Sequence, residues 1–217
     1  MSFNNILYNG LVFIAFVLSL VVFFNNNKRF GVLSILLIST FLVEIIVLIL
    51  IKKKIDFTWL YHLFNLLEYC LFSLFLVKSV KSKNIIRAVR LSIFFFILTG
   101  FSISFFFYHF KGFPGININI EGFLLSLLCI YILFNLDVDD NTPILRNSDF
   151  WICSGILIFF GCTFFFNGIL TKILQIGQDK ALKLFGIIHK PLNIILYSFI
   201  IIGILCLITK KKLIIPF

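Results

Sequence analysis

Charge is scarce in this chain. Asp, Glu, Lys and Arg make up 13% of its 217 residues and hydrophobic residues 61%, whereas soluble domains average about 25% charged. So much apolar surface excludes a water-soluble globule. The sequence also lacks repeats, low-complexity linkers and any polar stretch long enough for a separate domain. A membrane span takes about 20 apolar residues, so spans and short loops use up the chain. No kinase, cyclase or other output module fits between them. Paired loop cysteines are missing too: Cys70, Cys129, Cys153, Cys162 and Cys206 all fall inside apolar runs, as small buried hydrophobes rather than disulfides or metal thiolates. Finally, Met1-Ser2-Phe3-Asn4-Asn5 carries no basic segment and the first apolar run no small-residue cleavage site, so the first helix is expected to remain in the mature protein.

What the chain has in abundance are apolar runs. They predict an all-α, polytopic membrane protein, one domain over residues 1–217, with seven spans near Ile6–Phe24, Gly31–Ile51, Thr58–Val77, Leu91–Phe110, Ile118–Leu136, Phe150–Leu174 and Phe185–Thr209. Glu121 and Gly122 interrupt the start of the fifth. Pro114 and Gly115 mark the turn before it, and Ser148 or Asp149 can cap the sixth after the Asp137–Asp149 loop.

The formal net charge is +10, yet Lys and Arg lie in short clusters between the runs. They form no basic-aromatic face, so no nucleic-acid partner is expected. The charge instead reads as topology, because cytoplasmic loops carry the Lys and Arg excess. With the N-terminus outside, eleven fall on the inner side (Lys28, Arg29, Lys78, Lys81, Lys83, Arg87, Arg90, Arg146, Lys210, Lys211, Lys212). Seven fall outside (Lys52, Lys53, Lys54, Lys111, Lys172, Lys180, Lys183), and Lys190 lies within the last span. An N-terminus outside, a C-terminus inside and a multi-pass protein of the cell membrane, in bacteria the inner membrane, are expected. The basic Lys78–Arg90 loop and Lys210–Lys212 tail are the cytoplasmic surfaces, suited to anionic lipid.

Ionisable groups inside spans are costly and mark functional candidates. In span three a 100° step per residue puts Tyr61, His62, Asn65, Glu68 and Tyr69 within an arc of about 120°. Span seven repeats the pattern with His189, Asn193 and Tyr197 at i, i+4 and i+8, beside Lys190, and Pro191 is placed to kink its first turns. Glu44, Asn167, Tyr108, His109 and Glu121 also fall in the outer half. A pocket open to the outside is therefore expected, with His62 near His189 and with Glu68 at the depth of Asn193 and Tyr197. In span six Trp151, Ser154, Gly155, Gly161 and Cys162 share a narrow face suited to close helix packing. A plainer reading of the polar groups is that they satisfy one another as interhelical hydrogen bonds, each contributing about 0.6 kcal/mol.

Three motifs go further: Tyr61-His62-Leu63-Phe64-Asn65-Leu66-Leu67-Glu68-Tyr69, Phe150-Trp151-Ile152-Cys153-Ser154-Gly155, and Ile188-His189-Lys190-Pro191-Leu192-Asn193-Ile194-Ile195. Together they resemble, over the whole chain, a family of small seven-helix membrane proteins common in Bacteroidota and without an assigned activity. The positions that match the family's pattern are the Tyr61-His62 and Glu68 pair in helix three, Trp151 with Gly155 in helix six and His189 with Asn193 in helix seven. The resemblance also implies genes lying near sensor histidine kinases.

The function expected is ligand sensing or partner coupling without catalysis. The ligand-binding candidates are Glu44, His62, Asn65, Glu68, Tyr69, Trp151, His189, Asn193 and Tyr197. The expected partners are membrane lipids, a small ligand or lipid, and a separate membrane signalling protein. Alternatives are a small transporter with Glu68 as proton carrier, although no inverted repeat is present, and a metal-dependent lipid hydrolase using His62, His189 and a carboxylate. Seven-helix hydrolases place a second His where this chain has Asn193. No metal and no cofactor is expected: Lys190 lies too near its helix start for a retinal Schiff base, and span three has no Asp counter-ion.

Overall fold

The computed structural model describes residues 3–24, 27–136, 143–176 and 178–212, with side chains described for 7–24, 27–136, 143–167 and 187–209. Residues 137–142 of the Asp137–Asp149 loop and the side chains of Lys172, Lys180, Lys183 and Lys210–Lys212 lie outside the described residues. Among the described residues there are seven long helices: α1 Phe3–Phe24, α2 Lys28–Lys52, α3 Thr58–Leu76, α4 Lys83–Phe106, α5 Gly115–Phe134, α6 Ser148–Ile176 and α7 Gln178–Lys212. Short 3₁₀ turns follow α3 at Val77–Ser79 and precede α6 at Ile144–Arg146. Each long helix is long and apolar enough to cross a membrane, and the described residues contain no strand.

Helices outrun the apolar stretches that reveal them. α2 begins at Lys28 and α4 at Lys83, because backbone hydrogen bonding continues through charged residues that suit the membrane surface as well as a helix turn does. At its other end α4 stops at Phe106, short of the expected Phe110. His109 and Phe110 have φ of 48° and 56°, and the Phe110 amide turns back to the Ser104 carbonyl at 2.9 Å. Tyr108 and His109 therefore belong to a tight turn, not to the span.

The helix starts hold a second correction. α6 is capped by Asn147, whose Oδ1 accepts from the Asp149 amide at 2.8 Å, rather than by Ser148 or Asp149, which already lie within the helix. Asp149 is thereby free to pair with Arg29 at 2.6 Å. At the start of α3, Asp56 accepts from the Thr58 amide at 3.0 Å and the Thr58 hydroxyl at 2.9 Å. These donors, the backbone one foremost, hold the Asp56 carboxyl below the usual carboxylate range. A depressed folded-state value adds stability above the unfolded-state value, and that increment disappears as pH falls through the folded one. Because Asp56 is exposed, the increment is a few tenths of a kcal/mol at most. Thermal unfolding of wild type and Asp56→Asn as a function of pH is expected to show a small gap at neutral pH that closes in acid.

Around the bundle the helices close a ring. α1 packs on α2 and α7, α2 on α3, α3 on both α4 and α5, α5 on α6, and α6 on α7, the most extensive pair. At that pair Gly203 takes part because a Cβ there would come within 2.9 Å of the Ser148 carbonyl and 2.7 Å of Ile152 Cγ1. Gly155 does the same against Phe199, whereas Gly161 and Cys162 face outward. Only part of the small-residue face of α6 is thus a packing face.

The core holds Phe30, Leu33, Leu36, Phe72, Phe75, Ile152, Ile156, Leu196, Ile200 and Ile204. The exterior is apolar as well: Phe94, Phe95, Phe101, Phe105 and Phe106 of α4 are about half or more exposed. Such a surface aggregates in water and suits lipid.

Candidate functional site

Successive helices run antiparallel, so the starts of α1, α3, α5 and α7 and the ends of α2, α4 and α6 form one end of the bundle. Polar interior side chains gather toward that end in two groups, and α3 contributes to both.

The first group lies where α3, α4 and α5 meet. His62, Asn65, Ser104, Asn117 and Glu121 are all at most 3% exposed. Asn117 Nδ2 donates to the Gly100 carbonyl at 3.0 Å and to Ser104 Oγ at 2.9 Å. Ser104 Oγ in turn lies 2.9 Å from His62 Nδ1. The chain is satisfied when the Ser104 hydroxyl donates to Nδ1, which leaves the proton of a neutral imidazole on Nε2. That nitrogen faces the Lys111 and Gly112 backbone without a bond of good geometry. The ring packs at 5.2 Å from Tyr108 and 5.9 Å from Phe110. One turn on, Asn65 Nδ2 donates to Glu121 Oε2, and Tyr69 shares a hydrogen bond of 2.7 Å with Ser92 of α4. Close approach of the helices depends on Gly100, where a Cβ would stand 2.6 Å from Leu66 Cδ2.

The second group lies among α1, α2, α3 and α7. Tyr8 and Tyr197 stack with ring centroids 5.7 Å apart. The Tyr8 hydroxyl is in side-chain hydrogen-bonding reach of both Glu44 and Tyr197, and Thr40 is in reach of Tyr197. Glu44 is near enough to feel Lys190, and Glu68 is near enough to feel Glu44. Glu68 also interacts with Glu121, so interior carboxylates run from α2 through α3 to α5. Glu44, Tyr61, Glu68, His189, Lys190 and Asn193 each keep part of their surface accessible. Partly accessible polar side chains thus cluster among four helices.

These positions separate residues that the linear pattern grouped. On α3 the arc divides: Tyr61 and Glu68 at one edge turn toward α2 and α7, while His62, Asn65 and Tyr69 turn toward α4 and α5. His62 therefore meets Ser104 and not His189. His189 instead bonds Asn193 of its own helix, with Nδ1 2.7 Å from Asn193 Nδ2, and packs on Phe159 at 5.5 Å. Trp151 stands apart from both groups. Its indole N–H donates to the Leu145 carbonyl at 2.7 Å and its ring packs on Phe199 at 5.4 Å, about 9 Å farther along α7 than Asn193 at 1.5 Å per residue. It fastens the turn before α6.

Comparison with protein-family models, curated proteins and solved structures gave no match. The resemblance to the seven-helix family rests on its three motifs alone.

Sequence reasoning placed Glu121 at a helix start but gave Ser104 and Asn117 no role. One signal was available: Asn117 and Glu121 are four apart, on one face of α5. Arg29 was assigned to topology, yet it is a tertiary contact. Its Nη1 pairs with Asp149, its Nε donates to the Phe75 carbonyl at 3.1 Å, and its guanidinium lies 4.1 Å from the Phe75 ring centroid. Among the described residues no three His, Cys, Asp or Glu side chains are placed to hold a metal.

Proposed function

We propose that this protein is a ligand-sensing or partner-coupled membrane module. In this reading the partly accessible polar side chains among α1, α2, α3 and α7 line a crevice that binds a small ligand or a lipid headgroup, and binding biases the helix packing. The observation that carries the reading is the clustering of Glu44, Glu68 and Lys190 with three tyrosines among these helices. Buried charge is retained where it serves function more than packing. With no output module between the helices, the signal passes to a separate membrane partner, and the resemblance suggests a histidine kinase. The crevice opens to the outside of a cell membrane, on the eleven-to-seven division of Lys and Arg. A tag placed after Phe217 is accordingly expected to resist an impermeant labelling reagent in intact cells; its labelling would mean that the crevice opens to the cytoplasm.

A transporter is the second reading. The line of Glu44, Glu68 and Glu121 across the bundle favours it, since such groups hand on protons or cations. A hydrolase is disfavoured by the separation of His62 from His189. Purified protein is expected to show no metal-dependent hydrolysis of lipid esters or amides. Activity that both His62→Ala and His189→Ala eliminate would overturn the sensing reading.

A further inference from the structure

The α3–α4–α5 junction has more buried acceptors than donors. Asn65, Asn117 and Glu121 are 3, 0 and 1% exposed, and in each one oxygen, Asn65 Oδ1, Asn117 Oδ1 or Glu121 Oε1, has no hydrogen-bond partner. Two local amide groups already donate. The Asn117 amide serves the Gly100 carbonyl and Ser104, and the Asn65 amide serves Glu121. A proton on Glu121 would leave at least one of the three oxygens unmet. Among the described residues no basic side chain is seen acting on this carboxylate: the ionisable neighbour acting on Glu121 is another carboxylate, Glu68. Each buried acceptor left unmet is costly, and an unpaired buried charge costs more.

We infer that Asn65 Oδ1, Asn117 Oδ1 and Glu121 Oε1 form a binding site for a small monovalent cation of sodium size. Oxygen-only ligands select hard cations over transition metals. A single carboxylate with two neutral amides balances one positive charge, which disfavours calcium and magnesium, whose sites gather more carboxylates. Juxtaposition is fixed by the fold: Asn117 and Glu121 are stacked one turn apart on α5, Asn65 is tied to Glu121, and Ser104 is tied to Asn117. The site is distinct from the α1–α2–α3–α7 crevice and stands whether or not that crevice binds a ligand.

The test uses the full chain in detergent, unfolded thermally at constant ionic strength in sodium, potassium or N-methylglucamine chloride, alongside equilibrium binding of radioactive sodium. The expected result is a saturable stabilisation by sodium but not by N-methylglucamine, weaker with potassium, with one ion bound per chain. Glu121→Gln keeps the shape and the acceptor for Asn65 but removes the charge, and should weaken sodium binding by at least about tenfold, or 1.4 kcal/mol. Asn117→Ala should do the same; if it fails to fold, Asn65→Ser and direct binding to the unaltered protein decide. The inference is overturned if stability is indifferent to the cation, if potassium and N-methylglucamine act as sodium does, or if Glu121→Gln binds sodium normally. Stabilisation by acid with no cation dependence would also overturn it, by showing that Glu121 holds a proton instead.

Discussion

Glu68→Gln is expected to abolish the cellular response while leaving insertion and abundance unchanged. Glu68 stands on α3 between Glu44 of α2 and Glu121 of α5 and also interacts with Tyr197 of α7, so its charge is felt on three neighbouring helices. Gln keeps the volume and one acceptor oxygen, which isolates the charge as the quantity removed. A coupling between two sites is typically 1–3 kcal/mol, or about 5- to 150-fold. Loss of the charge removes that coupling and should therefore flatten the dose–response. Glu68→Leu should be as inactive and less abundant as well, because it puts an apolar group against Tyr197 and the other carboxylates. If Gln responds normally and only Leu fails, Glu68 is a packing hydrogen-bond partner and the crevice is structural. The measurement is a reporter of the partner's output, with abundance in the membrane fraction read in parallel.

The largest expected effect on stability is at the opposite end of α3. Arg29 joins the start of α2 to the Phe75 carbonyl near the end of α3 and to Asp149 in the first turn of α6. The two side chains are 15 and 18% exposed, so solvent screens the pair only partly. Removing one partner of a buried ion pair costs about 3–5 kcal/mol. Allowing for that residual exposure and for the lost stacking on Phe75, Arg29→Ala is expected to cost about 2 kcal/mol. It should appear as a lower unfolding temperature in detergent.

Asp149→Ala should cost less, because Arg29 keeps the Phe75 carbonyl and ring. The double variant should fall short of the sum of the two by about 1 kcal/mol or more, the signature of direct contact. Strict additivity would mean that the contact contributes nothing. Since Glu68 and Phe75 are two turns apart on α3, loosening Arg29 also frees α3 to rotate, and the reporter response should change with it.

Several of these features were legible in the sequence because they are local. The number of helices follows from apolar runs separated by charge, since a backbone in lipid must satisfy its own hydrogen bonds. The polar stripe of α3 follows from the 100° step per residue. That the polar groups share one half of the bundle follows from counting residues from each span's end, because successive spans alternate in direction.

Tertiary structure alone decided the azimuths. Equal distance from a helix start puts His62 and His189 at the same level but says nothing about which neighbour each faces. Ring order turned His62 toward Ser104 and left His189 with Asn193. The same packing divided one stripe between two groups and made Arg29 a tie across three helices. It also set Asn117 and Glu121 beside Asn65, a meeting of residues more than 50 positions apart that spacing along the chain does not encode. Helix periodicity is a property of neighbours in sequence, whereas the partner across an interface depends on how all seven helices pack at once.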